Sequence, residues 1–335
     1  MPERLRSKEA ITDSVLERLG IKVGHYTDEK NLTGLTCFIA EQGANIGIDI
    51  RGSNTGTVNT ASYDAKSAAQ LVHGVILTGG STFGLESAFG MMQYLEENEF
   101  GYRTRAGVVP GITGAVIYDI AVGNGKVRPT KKDGYETAKM AGTGTVAQGN
   151  VGVGTGATVG KWAGGVPMKG GFGIGVTEIL DSILVVAFAV TNAVGDVVNP
   201  KTHEFYSESG RQSLVNEAFS APNLESMHGL ITQTPTNTTL AVIATNVQME
   251  KTQLMKVAEL AHDGMARAIH PIHTTLDGDV IFAISSLTGE QRTLPQVAPI
   301  TCVDIVGLAA ADALVKAINN SIVQAKSIDG FPAYQ

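Results

Sequence analysis

The residues best suited to chemistry in this chain gather around one threonine. In Thr234-Pro235-Thr236-Asn237-Thr238-Thr239-Leu240-Ala241-Val242-Ile243-Ala244-Thr245 a polar, proline-bearing run gives way to β-branched and apolar residues. That pattern predicts a short buried strand over 239–245. Thr238 then stands at the mouth of the strand, directly behind an asparagine. With the Asn237–Thr238 bond cut, Thr238 would carry both a hydroxyl and a free α-amine. An α-amine titrates at about 7.7–8.0, so it can act as a general base near neutrality. A threonine paired with its own terminal amine is an activated nucleophile. Asn-Thr-Thr also opens strands with no chemistry at all, because these residues are common at loop ends. The tripeptide therefore acquires meaning only from its surroundings.

Asp277-Gly278-Asp279 precedes the apolar run Val280–Ile284. Residues two apart on extended backbone face the same side, and two carboxylates on one side repel unless a cation sits between them. Lys161 or a terminal ammonium would supply that charge. A pair exposed to water, doing nothing, is the plain alternative. His270 and His273 with the two aspartates offer a metal set, but no HExxH helix motif accompanies them, and no metal is expected. Asn192 interrupts an apolar run, where a buried amide requires partners; a turn asparagine is the other reading. Lys161 closes Gly156-Ala157-Thr158-Val159-Gly160-Lys161-Trp162, a near miss to a phosphate loop. That run is one residue too short, with tryptophan in place of the required serine or threonine. Gly79-Gly80-Ser81-Thr82-Phe83-Gly84 lacks the phosphate-loop lysine, the dinucleotide glycines and the spacing of a nucleophile elbow. It reads as a tight strand-to-helix turn, and no cofactor is expected.

The elements that must carry these residues follow from periodicity. Helices are predicted over 13–19, from the 79–84 turn to 97, over 134–141, 250–269 and 301–324. Strands are predicted over 22–25, 73–78 and 115–120, the last ending near Tyr118-Asp119. Runs 35–40 and 45–50 read as a hairpin joined by Glu41-Gln42-Gly43-Ala44. Runs 171–177 and 182–198 read as a second, longer hairpin with Asn192 near the middle of its second strand. Residues 51–61 read as a loop over a cleft. The polar stretch 199–236, with helical potential at 212–219, is long enough to be functional or mobile. Strands that follow one another through hairpins point to a layered α/β sandwich with a mixed or antiparallel sheet.

Composition narrows the class. The chain has 335 residues, 43% hydrophobic and 17% charged, enough to bury a large core. Its formal charge of −7 gives nucleic acid or an anionic membrane no electrostatic support. Two cysteines, Cys37 and Cys302, make neither a disulfide framework nor a cysteine zinc site. Residues 1–18 do not resemble a signal peptide, and no apolar run is expected to span a membrane; a cytoplasmic location is expected. Glycine is abundant, 40 in all with 13 between Gly142 and Gly175, which predicts backbones in close approach to one another or to a ligand.

Taken together, Gly20-Ile21-Lys22-Val23-Gly24-His25-Tyr26-Thr27-Asp28, the 77–84 turn, Gly160-Lys161-Trp162, Asn237-Thr238-Thr239 and Asp277-Gly278-Asp279 resemble the self-cleaving hydrolases of the L-aminopeptidase/D-amino-acid esterase and β-peptidyl aminopeptidase group. The resemblance covers nearly the whole chain. Within the group, the aminopeptidase branch usually has a serine nucleophile and a Ser-x-Glu pair. Thr238 with Asp277/Asp279 is similar instead to the branch that hydrolyses nylon (6-aminohexanoate) oligomers. The resemblance implies a four-layered αββα sandwich of N-terminal-nucleophile type. It implies one hydrolase domain cut by its own Thr238 into an α chain, 1–237, and a β chain, 238–335. The two chains would stay associated and assemble as a homotetramer. It also implies that Lys161, Asn192 and Tyr118 line the site beside Thr238, Asp277 and Asp279, and that the substrate is a linear amide.

Overall fold

The structure, a computed structural model, describes residues 13–162, 167–180, 182–206, 237–293 and 299–334. The elements in order are α1 (Asp13–Leu19), β1 (Lys22–Asp28), β2 (Thr33–Ile50), β3 (Thr57–Val58), β4 (Leu71–Thr78), α2 (Glu86–Glu97), β5 (Tyr102–Thr104), β6 (Gly107–Val109), β7 (Ile112–Val116) and α3 (Lys131–Met140). Then follow β8 (Thr158–Val159), β9 (Met168–Lys169), β10 (Phe172–Ile179), β11 (Ile183–Asn192), β12 (Asp196–Val197), β13 (Thr238–Thr245), α4 (Lys251–Ala268), β14 (Ile269–His270), β15 (Val280–Ser286) and α5 (Pro299–Val323). Nine strands join in the order β10-β11-β13-β15-β2-β4-β7-β3, with β1 also on β2. The pairs β13–β15 and β4–β7 are parallel and the rest antiparallel.

Side-chain alternation along these strands builds the layers. In β11, Val185, Ala187 and Ala189 pack with Leu254 and Val257 of α4 and Leu314 of α5. Their neighbours Leu184, Val186, Phe188 and Val190 face a central core shared with Phe38 and Val75. On the far side, Ile76 of β4 packs with Met91 and Leu95 of α2 and Ala138 of α3. The order is thus helices, β layer, β layer, helices: a mixed α/β sandwich in four layers.

The two β layers are continuous through β2, and here the sequence expectation of a hairpin is corrected. Residues 33–50 form one strand of 18 residues. It pairs with β4 on both sides of a register shift between Ile39 and Ala44, with Gly43 at a φ of 89°. Glu41-Gln42-Gly43-Ala44 makes a bulge rather than a turn, and a bulge bends a strand without ending it. The run 182–198 stops as a strand at Asn192, and the 115–120 run is a strand over Ile112–Val116, which leaves Tyr118 in a loop. The final helix also departs from expectation. Val303–Val323 is long and apolar enough to cross a membrane, yet 67% of that stretch is buried inside the protein, as suits a core helix.

The glycine-rich belt is pinned by a residue that periodicity did not single out. Lys169 is fully buried, and its Nζ donates to the carbonyls of Gly154, Ala157 and Gly170 at 2.9, 2.9 and 2.6 Å. Burial pulls this ammonium down to about 7 against the attraction of Asp119. Asp119 accepts hydrogen bonds from Gly80 N–H at 2.7 Å and the Thr33 hydroxyl at 2.8 Å. The belt is thereby tied to the 79–84 turn, and its next residues, 158–161, are delivered to the end of β11.

Candidate active site

Three neighbouring strands set the site. Asn192, last in β11, lies opposite Thr238, first in β13, on the antiparallel ladder. Leu240 lies beside Val280 on the parallel ladder, which brings the Asp277-Gly278-Asp279 segment to the same edge. Asn192, Asp277 and Asp279 have no exposed surface, and Asn237 and Thr238 are 5% exposed. The aspartates are therefore not a solvated loop pair.

Each aspartate is held by donors. Asp279 Oδ1 accepts Thr239 N–H at 2.7 Å, and its Oδ2 accepts His273 N–H and Nδ1–H at 3.2 and 2.8 Å. Asp277 Oδ1 accepts Val194 N–H at 3.2 Å, and its Oδ2 accepts the N–H and hydroxyl of Thr274 at 3.0 and 2.6 Å. Burial and then the neighbouring Asp279 charge push the Asp277 carboxyl above its usual range. The backbone of the pair is clamped from the other side. Arg51 and Gly52 N–H donate to the Asp279 carbonyl, and Asn54 N–H donates to that of Asp277. A Cβ at Gly52 would lie 2.1 Å from Asp279 N, so only glycine allows this approach. The 51–61 loop expected over a cleft is, at its start, the clamp on the aspartates.

Lys161 reaches Asn192 rather than a carboxylate. The Gly160, Lys161 and Trp162 amides donate to the carbonyls of Gly195 and Val194 at 2.8 to 2.9 Å, which fixes the register of the belt against β11. Lys161 Nζ donates to Asn192 Oδ1 at 3.2 Å and to the Asn192 carbonyl at 3.4 Å. Among the described residues no ion pair joins it to Asp277 or Asp279. Burial lowers Lys161 to about 7, with Asp277 pulling upward. Asn192 Oδ1 also accepts Thr158 N–H at 3.0 Å, and its Nδ2 faces the Tyr118 carbonyl at 3.4 Å. Tyr118, half-buried, thus meets Asn192 through its backbone. Asn237, Thr238, Asn192, Lys161, Asp277 and Asp279 are brought together, with Tyr118 at the margin.

The lysine shift has a measurable consequence. A Lys whose folded pKa lies near 7, against about 10.4 unfolded, binds fewer protons when folded across that interval. Stability then rises with pH: the cost of the buried ammonium is complete below about 7 and is relieved as pH climbs toward 10. Lys161→Met is expected to raise the melting temperature most at pH 6 and to flatten its rise between pH 6 and 9. A wild-type and variant difference that stays constant with pH would show that the amine is not charged on folding at acid pH.

Sequence reasoning missed Gly278. Its N–H donates to the Asn237 carbonyl at 3.0 Å, and the Thr238 hydroxyl lies 2.5 Å from that same oxygen. A Cβ at Gly278 would sit 2.6 Å from the Asn54 carbonyl oxygen and 2.8 Å from Thr238 Oγ1. The available signal was a glycine between two acidic residues. His273 was weighed only as a metal ligand. It meets Asp279, but His270 is exposed, and among the described residues no three His, Cys, Asp or Glu side chains form a metal set.

The architecture is that of the N-terminal-nucleophile hydrolases. It superposes on the L-aminopeptidase D-Ala-esterase/amidase of Ochrobactrum anthropi with a TM-score of 0.67 at 18% identity, covering 94% of this chain and 87% of that one. A Burkholderia sp. β-aminopeptidase gives 0.64 at 19% identity, over 94% and 88%. The chain belongs to peptidase family S58, whose model matches residues 9–334. An uncharacterized aminopeptidase of Mycobacterium tuberculosis is 36% identical over 96% of this chain and 97% of its own. The 6-aminohexanoate-oligomer endohydrolase of a Kocuria species is 30% identical over 82% and 76%. The protein is thus an amide-bond hydrolase of that family, related both to aminopeptidases and to nylon-oligomer hydrolases.

Proposed function

We propose that the chain cleaves itself between Asn237 and Thr238 and that the freed Thr238 hydrolyses linear amides, 6-aminohexanoate oligomers among them. The observation that carries this reading is the Asn237 carbonyl, which accepts Gly278 N–H at 3.0 Å with the Thr238 hydroxyl beside it. Attack of Oγ on the Asn237 carbonyl carbon closes a five-membered ring through Cβ, Cα and N of Thr238. Gly278 N–H is placed to stabilise the oxyanion that forms; one such donor is typically worth about 10²–10³ in rate. The C–N bond breaks as the amine takes the hydroxyl proton, and water hydrolyses the resulting ester. In turnover the Thr238 amine accepts the hydroxyl proton as Oγ attacks the substrate carbonyl, then returns it to the leaving amine. Asn192 supports the substrate oxyanion, and Lys161 holds the Asn192 amide. The aspartates hold the start of β13 and offer negative charge to the new ammonium. The reading carries with it an assembly of paired α and β chains, as a homotetramer.

Thr238 with Asp277 and Asp279 favours the nylon-oligomer substrate. The 36% identity to the mycobacterial aminopeptidase favours a second reading, release of amino-terminal residues from peptides. Intact mass and N-terminal sequencing of purified protein test the cleavage, with a chain beginning Thr238-Thr239-Leu240 expected. Chromatography of digests of 6-aminohexanoate oligomers decides the substrate. Internal scission supports the first reading; activity confined to aminoacyl p-nitroanilides selects the second.

A further inference from the structure

We propose that His273 is a positioning residue for Asp279 and, through it, for the nucleophilic end of β13. The role rests on the reading of Thr238 as nucleophile. Asp279 is buried beside a second carboxylate that repels it, so it keeps one orientation only if its oxygens are held. Oδ1 faces β13, where it takes Thr239 N–H at 2.7 Å. Oδ2 faces away and, among the described residues, is held by His273 alone, through the backbone N–H at 3.2 Å and ring Nδ1 at 2.8 Å. A ring nitrogen that faces carboxylate lone pairs must carry the proton, so Nδ1 is the donor. The far nitrogen, Nε2, is buried and meets no hydrogen-bond partner among the described residues.

Two further features aim the ring. His273 has a φ of 58°, in the left-handed region that histidine, asparagine and aspartate enter more readily than most residues. In that conformation one residue turns both its amide and its side chain onto a single oxygen. Behind it, the His262 ring packs edge-on with centroids 4.7 Å apart. His262 is itself fixed by Nε2 to the Asp49 carbonyl at 3.3 Å, and burial lowers it to about 3, so it presents an uncharged wall. The route runs from β2 through His262, His273 and Asp279 to the second residue of β13.

Packing alone would make the ring a spacer; the hydrogen bond makes it a clamp, and three substitutions separate the two. His273→Asn keeps the left-handed backbone and a donor near the Nδ1 position. His273→Gly keeps the backbone and removes the donor. His273→Asp keeps shape and backbone but faces Asp279 with oxygen in place of N–H. Steady-state kinetics on the full-length gene product, with the amide that the wild type turns over best, are expected to show kcat within about fivefold for Asn. For Gly and Asp a loss of about 30-fold or more is expected, with KM changed less than threefold. Added imidazole is expected to restore part of the Gly variant's kcat. If the Gly chain does not fold, the Asn and Asp pair decides. An Asn variant as slow as Gly or Asp, or a Gly or Asp variant as fast as wild type, overturns the role. A wild type that turns over no amide overturns the reading of the site, and this role with it.

Discussion

Replacing Thr238 by alanine is expected to leave one chain of full length and no measurable amide hydrolysis. Both effects come from one atom. Oγ1 lies 2.5 Å from the Asn237 carbonyl oxygen, and no other hydroxyl is bonded to that carbonyl among the described residues. Thr239 Oγ1 is buried without a hydrogen-bond partner among the described residues, but the next residue on a strand points to the opposite face, so it cannot stand in. The α-amine that would serve as base never forms if the bond is not cut, so nucleophile and base are lost together. Removing a nucleophile from such a unit typically costs about 10⁴–10⁶ in turnover. Thr238→Ser, which keeps the hydroxyl, is expected to be cut and active. Denaturing gels and a turnover assay on both variants read the outcome. Two chains from the alanine variant would assign the cut to an outside protease and remove the case for Thr238.

Asp279→Asn is expected to lower turnover by about 10²–10³-fold while KM moves little. The amide has one oxygen where the carboxylate has two, and Asp279 uses both, toward Thr239 on one side and His273 on the other. Its NH₂ must therefore meet an N–H on one side, at a fully buried position. It also carries no charge for the ammonium of a freed Thr238. Such an interaction, made chiefly in the transition state, appears in kcat rather than in KM. A second consequence is electrostatic. Asp279 is one reason the Asp277 carboxyl lies above its usual range, so the neutral variant should let Asp277 fall toward it. A fully processed and fully active Asp279→Asn protein would remove both aspartates from the mechanism.

The parts of the site legible in the sequence were those whose side chains announce themselves. Thr238 stood out because residue type, the preceding asparagine and the onset of a strand coincide. Asp277 and Asp279 stood out because acidic residues before a buried strand are costly unless used. Layering was legible because strand alternation and helical spacing are local patterns. What was not legible depends on tertiary pairing. The bulge at 41–44 reads locally as a turn, and only β4 lying alongside both halves of β2 keeps it extended. Gly278 acts through its backbone amide, which every residue but proline possesses, so no residue type marks it. Lys161 was expected on the aspartates, by charge, but the run of its backbone along Val194 and Gly195 brings its head to the Asn192 amide. His273 was visible as a ligand type, and its aim depends on a left-handed φ that no periodicity reveals.

The strand order has a consequence for what a backbone break at Asn237–Thr238 would do to the molecule. β13 and β15 lie side by side in the interior of the sheet, with β11 on one flank and β2 on the other. Every strand of the downstream fragment is therefore bordered by strands of the upstream one, and α4 and α5 close over β11 as well as over β13. A cut there uncovers no new sheet edge and offers no template for runaway association. Neither fragment would own a complete core, so the two would behave as one cooperative unit with two pairs of chain ends. The natural corollary is permutation: an open reading frame starting at Thr238, with residue 335 joined by a linker to the upstream segment, encodes the same sheet. In that arrangement removal of an initiator methionine would expose the Thr238 amine, and the cut at Asn237–Thr238 would no longer be needed to free it.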